Sequence, residues 1–352
     1  MTIERLDAHD FRCFASANIE AHPETNLIVG PNGSGKTSLL EAVSVLGSGR
    51  SFRVRDLTPL VRHGQSEFRV AARVGDPRQI IEARGGPGGL DLRLNTQTLR
   101  GTTELAALLP VQALHPEMHG LIEGSPEGRR RFVDWGAFHV KPGYLDIWRR
   151  YHRALRQRNA ALKAAVLPRN LQPWNEELTR TGHLLDRARR EYVDQLSTAF
   201  ADFGSALTGG STELCYHRGW SGEGDFDSAL ESSAGRDQQY RTTHVGPHRA
   251  DLEIRLQSAP ARYLASRGQQ KMLAMGLGLS QAQMIATASP RRLVLLVDDP
   301  AAEIDGERAQ RIAAQLGRVS AQRFVTGLAP EGYPGQFDRL FHVKQGEVRQ
   351  VI

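Results

Sequence analysis

The octapeptide GPNGSGKT, Gly30 to Thr37, constrains this 352-residue chain more than any other stretch of it. It fits the pattern G-x-x-x-x-G-K-[ST], in which every residue type has a chemical reason. Glycines let consecutive backbone N–H groups approach phosphate oxygens, a lysine neutralises the β and γ oxygens, and a hydroxyl joins a magnesium shell. Gly30, Pro31, Asn32, Gly33, Ser34, Gly35, Lys36 and Thr37 are therefore the expected phosphate cradle, with Thr37 on the metal side. The flanks agree. The apolar run NLIVG reads as a buried central strand entering the loop. From Lys36, apolar residues at Leu39, Leu40, Ala42, Val43, Val45 and Leu46 predict a helix that Gly47 ends. The alternative, a flexible glycine loop without a ligand, demands neither neighbour.

A magnesium-phosphate site also needs a carboxylate at the end of an adjacent strand. LVLLVDD supplies five aliphatic residues and then Asp298, the expected magnesium partner. Asp299 follows, either as the base that orients or deprotonates the attacking water or only as a support for the metal. Buried strands often end in an acid, so this segment gains its meaning from the phosphate loop. Asp298 lies 262 positions after Lys36, more than a compact kinase or GTPase usually places between them.

The interval explains the distance. TIERLDAHDF and ASANIEA read as strands, and residues 67–100 as an antiparallel meander broken at GDP and GGPGG. From Leu145 to Val166, and again from Leu178 to Phe203, apolar residues recur at the helical period, and a short Pro-containing loop joins the two runs into a hairpin. Strand patterns return in TELCYHR and ADLEIRL. Three segments are expected: 1–120, a helical insertion at 121–210, and 211–352. At Ser266 to Gln269 a Ser-x-x-Gln box predicts a helix start. Gly268 in its first turn costs about 1 kcal/mol relative to alanine and calls for a compensating role.

Composition limits the setting. The hydrophobic and charged fractions, 40% and 24%, are those of a folded globular chain. Cys13 and Cys215 alone make neither a disulfide framework nor a zinc site, which suggests a reducing compartment. No signal peptide or membrane span is recognisable, so a cytoplasmic location is expected. The net charge of +6 is compatible with a polyanionic partner. It is concentrated: residues 129–169 hold 11 Lys or Arg against Asp134 and Asp146. Arg129, Arg130, Arg131, Arg149, Arg153, Arg156 and Lys163 are the candidate contacts to such a polyanion there, the alternative being a solvated helix face.

The order of phosphate loop, helical insertion, SRGQQK and LLVDD resembles the ATP-binding-cassette heads of the SMC and Rad50 class. Within it, DFRCF, VGPNGSGKTSLLEAV, GRSFR, HPEM, GSPEGRRRFVDW, RQRNAALK and GPHRADL together resemble the RecF family of bacterial recombination mediators over nearly the whole chain. The resemblance implies an α/β fold: an ABC-type P-loop ATPase head, with a mixed sheet and an antiparallel meander, carrying a short α-helical arm. It implies ATP and Mg2+ as cofactors, an ATP-dependent head-to-tail homodimer, and binding to double-stranded DNA near single-strand gaps. It also implies action with RecR and RecO in RecA loading and the SOS response, and weak, DNA-stimulated ATP hydrolysis. In such a dimer Ser266, Gly268 and Gln269 meet the γ-phosphate held by the partner's Lys36.

By family position Arg12 and Arg53 touch nucleotide, although both also fit an ordinary surface. Gln112, or equally Glu117, stands where a glutamine contacts magnesium and water. His244, His248 and Arg249 match a motif without an assigned chemistry. The chain departs from the usual pattern at Ala265, Asp299, Pro300 and Glu303, and RFVTG lacks the switch histidine of transporter cassettes. Slow hydrolysis is the expectation. Another ABC-type ATPase, whether an SMC-like head or a transporter subunit, is the alternative; a small-molecule kinase or an ATP-dependent nuclease fits less well.

Overall fold

A computed structural model describes residues 2–75, 78–221, 224–302 and 304–352, so Glu303 lies outside the described residues. The chain forms two compact units. One runs up to Met118 and resumes at Ile285–Ile352; the other is His119–Met284.

The first unit contains two six-stranded sheets. In the antiparallel sheet the order is Phe14–Glu20, Ile3–Phe11, Phe68–Val74, Gln79–Gly86, Gly89–Leu94 and Gln97–Thr98. Its first strand buries Ile3, Leu6, Ala8 and Phe11 while its charged residues stay partly accessible, so one face is apolar. The second sheet runs Glu347–Gln350, Arg339–Lys344, Thr25–Val29, Ala321–Gly327, Leu293–Val297 and Val111–Leu114. All neighbours pair in parallel except Arg339–Lys344 with Glu347–Gln350. Thr25–Val29 and Leu293–Val297 are buried at every residue, as parallel strands covered on both faces must be.

The helix Lys36–Ser48 joins both sheets to one core through Leu39, Leu40, Ala42, Val43, Val45 and Leu46. It does not stop at Gly47. It ends at Ser48, with Gly49 at φ +67° donating to Val45 O. Gly47 serves packing: a Cβ there would stand 2.1 Å from Val111 Cγ2, so only glycine lets the helix approach that strand.

In the second unit, helices Tyr144–Lys163 and Gln172–Thr208 form the hairpin, preceded by Pro126–Val140. A three-stranded sheet of Ala259–Pro260, Asp251–Leu256 and Thr212–His217 belongs to the same unit, as does most of the helix Arg267–Ala288. The expected segment 211–352 is thus shared between the units. Local contacts explain why. Thr212 Oγ1 donates to Phe200 O at 2.8 Å, and a Cβ on Gly276 would stand 3.0 Å from the Gly204 Cα, so small residues bring this material against the long helix. Among the described residues no helix is long and apolar enough to cross a membrane.

Candidate functional site: a phosphate-loop cleft

The parallel strands Thr25–Val29 and Leu293–Val297 deliver the phosphate loop and the acidic pair to the same end of their sheet, where α/β sheets carry their ligands. A cleft of about 670 Å³ opens there, with Asn32, Gly33, Lys36, Thr37, Asp298 and Asp299 in its wall. The loop backbone demands glycine. Gly33 and Gly35 stand at φ +76° and +116°. A Cβ on Gly30 would meet Val343 O at 2.1 Å, and one on Gly35 would meet Cys13 Sγ and Phe14 Cζ at 2.7 Å.

Lys36 is folded over its own loop, donating to Gly30 O at 2.8 Å and Pro31 O at 3.0 Å. Burial lowers its pKa, and the nearby Asp299 and Asp298 charges oppose that shift. Thr37 Oγ1 donates to Asp298 Oδ1 at 2.9 Å and approaches Oδ2 at 3.2 Å. Thr326 Oγ1 donates to Asp298 Oδ1 at 2.9 Å and accepts from Asp299 N at 2.8 Å. Thr326 is a site residue that sequence reading missed, because nothing marks a threonine at the end of RFVTG until that strand is known to lie beside the acidic one. Asp299 is held at φ +46°, a left-handed backbone at a non-glycine residue that its neighbours must stabilise.

These residues suit a magnesium-bound polyphosphate. Ser34 Oγ is buried and has no hydrogen-bond partner among the described residues, and the lysine's present partners are loop carbonyls. A threonine hydroxyl and a carboxylate are the hard oxygen donors that Mg2+ takes in ones and twos, completing its octahedron with phosphate and water. Among the described residues no three His, Cys, Asp or Glu gather to hold a metal unaided.

Arg12 and Arg53 reach the cleft. Arg12 donates through Nε and Nη2 to Glu41 at 2.9 and 2.6 Å, and through Nη1 to Pro59 O at 2.9 Å. Glu41 had no assigned role from sequence. Gln112 is not brought to the cleft; it is buried in mid-strand opposite Leu295, two pairs before the strand end. Pro116 lines the cleft instead, and Glu117 is exposed in the turn Pro116–His119.

In the second unit, Ser266 and Gln269 form the expected capping box: Gln269 Oε1 accepts from Ser266 N at 2.9 Å, and Ser266 Oγ from Gln269 N at 3.3 Å. Ser266 is exposed and Gly268 half-buried.

The basic segment divides. Arg129 is buried, donating to Asp251 at 2.7 and 3.0 Å and to Gly124 O at 2.8 Å, and Arg130 donates to Ala250 O at 2.8 Å. Arg129 turns inward to hold Asp251, whereas Arg130 is half-buried with one N–H on the neighbouring carbonyl. Arg131 is exposed but paired with Glu127. Arg149, Arg153, Arg156 and Lys163 are exposed on the helix Tyr144–Lys163, and their spacing of four, three and seven puts them on one face.

His244 and His248, in the stretch THVGPHR, are both held by hydrogen bonds. His248 Nδ1 meets Tyr151 Oη at 2.7 Å and Nε2 meets Thr243 O at 3.0 Å, while burial lowers the ring's pKa to about 4. His244 Nδ1 meets Asp237 Oδ1 at 3.0 Å, and Asp237 also accepts from the buried Arg158 at 2.8 Å.

Comparison with known proteins gives a consistent outcome. The model of the RecF/RecN/SMC N-terminal domain matches residues 2–350. A DNA replication and repair protein RecF of Aliivibrio fischeri (strain MJ11) is 34% identical, covering 99% of this chain and all of its own. One of Escherichia coli O6:K15:H31 (strain 536 / UPEC) is 36% identical over 99% of each. The solved structure of a recombination mediator protein RecF with ATP, described within the RecFOR pathway, superposes with a TM-score of 0.88 at 25% identity, covering 100% of this chain and 98% of that one. An Smc head from Pyrococcus furiosus shares the fold alone, with a TM-score of 0.60 at 17% identity over 99% and 96%. Sequence and structure thus match the same proteins from end to end, and the chain belongs to the RecF family.

Proposed function

We propose that the chain is an ATP-dependent, DNA-binding recombination mediator of replication-gap repair and the SOS response, acting with RecR and RecO to help load RecA. The observation that carries the nucleotide part is the Thr37–Asp298 pair beside a lysine folded over its own loop carbonyls. Gly30 to Thr37 and Arg12 hold the ATP phosphates, and Thr37 and Asp298 hold Mg2+. When bound, the metal offsets charge on the β and γ oxygens. Asp299 orients water at a carboxylate one methylene shorter than glutamate, which supports slow hydrolysis; turnover well above about 1 per second would count against it. Ser266, Gly268 and Gln269 of a second copy complete the site. The exposed stripe on the arm supports contact with DNA backbone rather than with base sequence.

The test is duplex binding and oligomeric state measured with and without ATP, using a gapped duplex and sedimentation of the same samples. ATP-promoted dimers that retain the gapped duplex support the reading. Monomers indifferent to ATP and to DNA overturn it.

A further inference from the structure

We infer that Glu41 is a positioning residue for the nucleotide: it fixes the Arg12 guanidinium, and with it the Arg53 side, at the mouth of the phosphate-loop cleft. This rests on the ATP reading of that cleft. Glu41 lies one turn after Thr37 on the helix Lys36–Ser48 and is wholly buried. Its neighbours Leu40, Ala42 and Val43 are apolar and buried. The core itself does not need a carboxylate there, since an apolar side chain of similar size generally serves a buried site as well as an ion pair does.

What the carboxylate adds is a fixed fork. Both its oxygens accept from Arg12, at 2.6 and 2.9 Å; Ser51 Oγ donates to Oε1 at 2.6 Å, and Arg53 Nη1 stands 3.8 Å from Oε2. The backbone holds Arg12 from the other side: it sits at φ +55° and its N–H donates to Leu60 O at 2.7 Å. Of the five guanidinium N–H groups, three are engaged by Glu41 and by Pro59 O, which leaves two to offer an anion. Arg12 and Arg53 line the cleft; Glu41 reaches it only through them. The guanidinium thus meets an incoming nucleotide already oriented, with its rotamer entropy lost at folding rather than at binding.

The experiment is a double-mutant cycle on the full chain, read as equilibrium binding of a fluorescent ATP analogue with Mg2+, with thermal melting alongside. Glu41→Gln is expected to weaken binding roughly tenfold, the lower end of what loss of a hydrogen bond to a charged group costs. On an Arg12→Ala background the same change is expected to cost less than about twofold, because the residue it acts through is gone. An equal loss on both backgrounds, or wild-type binding by Glu41→Gln, overturns the inference. Arg12→Lys keeps the charge but not the fork, so it tests the same idea if Glu41→Gln does not fold: binding should fall, and wild-type affinity overturns the inference. Lys36→Ala separates the two levels. Loss of binding there supports the ATP reading whatever Glu41 does, and unchanged binding overturns that reading itself.

Discussion

Replacing Arg149, Arg153, Arg156 and Lys163 together by glutamine should flatten the salt dependence of duplex binding while leaving the fold intact. The four lie on one face of a helix, and the 14 positions from Arg149 to Lys163 span about 21 Å at 1.5 Å per residue, long enough to follow a stretch of phosphate backbone. Each neutralised phosphate contributes about 0.9 to the slope of log K against log salt, so four contacts account for a slope of roughly 3 to 4. Between about 50 and 200 mM salt, that difference shrinks the wild-type advantage over the variant by about a hundredfold. Exposed substitutions of this kind usually change stability by no more than about 0.5 kcal/mol each. Arg129→Ala is the contrasting perturbation. It strips a buried partner from Asp251 and should cost on the order of 3 kcal/mol of stability, with no change of slope in the protein that remains folded. The assay is fluorescence anisotropy of a labelled gapped duplex across a salt series, with melting curves on the same preparations. An unchanged slope in the quadruple variant would refute the argument, as would a lowered slope in Arg129→Ala at wild-type stability.

Gly30→Ala should destabilise by at least about 3 kcal/mol, because its Cβ would overlap Val343 O, whereas Gly33→Ala meets nothing within 4 Å and should cost only the left-handed backbone term of about 1 to 2 kcal/mol. Melting midpoints that fail to separate the two variants would contradict this. Ser266→Arg should leave the monomer's ATP affinity unchanged and abolish the ATP-induced dimer; sedimentation of the variant with ATP decides it. His248 and His139 are half-buried, and desolvation lowers their pKa values to about 4, so unfolding takes up protons at each below its ordinary value near 6.5. The stability they contribute is full above about pH 6.5 and is lost as pH falls toward 4, amounting to about 2 kcal/mol for each by pH 5. His248→Gln should flatten the decline between pH 6.5 and 5, and an equally steep decline in the variant would refute the assignment.

The phosphate loop and the acidic strand were legible because their requirements are local: positive φ at glycine, an unbroken apolar run, a carboxylate at its end. Pairing at long separation was not. Arg129 finds Asp251 across 122 positions, Arg158 finds Asp237 across 79, and Arg189 finds Asp134 across 55. Arginine is rarely buried unless paired, so without knowledge of the partners each of these reads as a surface charge. The same blindness hid Glu41, whose partner Arg12 lies 29 positions away, and Thr326, 28 positions from Asp298. It follows that a charge count over 129–169 overstates the field which that segment presents. Asp251 and Asp237 neutralise Arg129 and Arg158 inside the unit, while Glu127, Glu177 and Glu191 pair with Arg131, Arg150 and Lys141 at its surface. Arg149, Arg153, Arg156 and Lys163 share one exposed helix face, and the effect of that stripe on a polyanion can be measured separately from the arginines that hold the unit together.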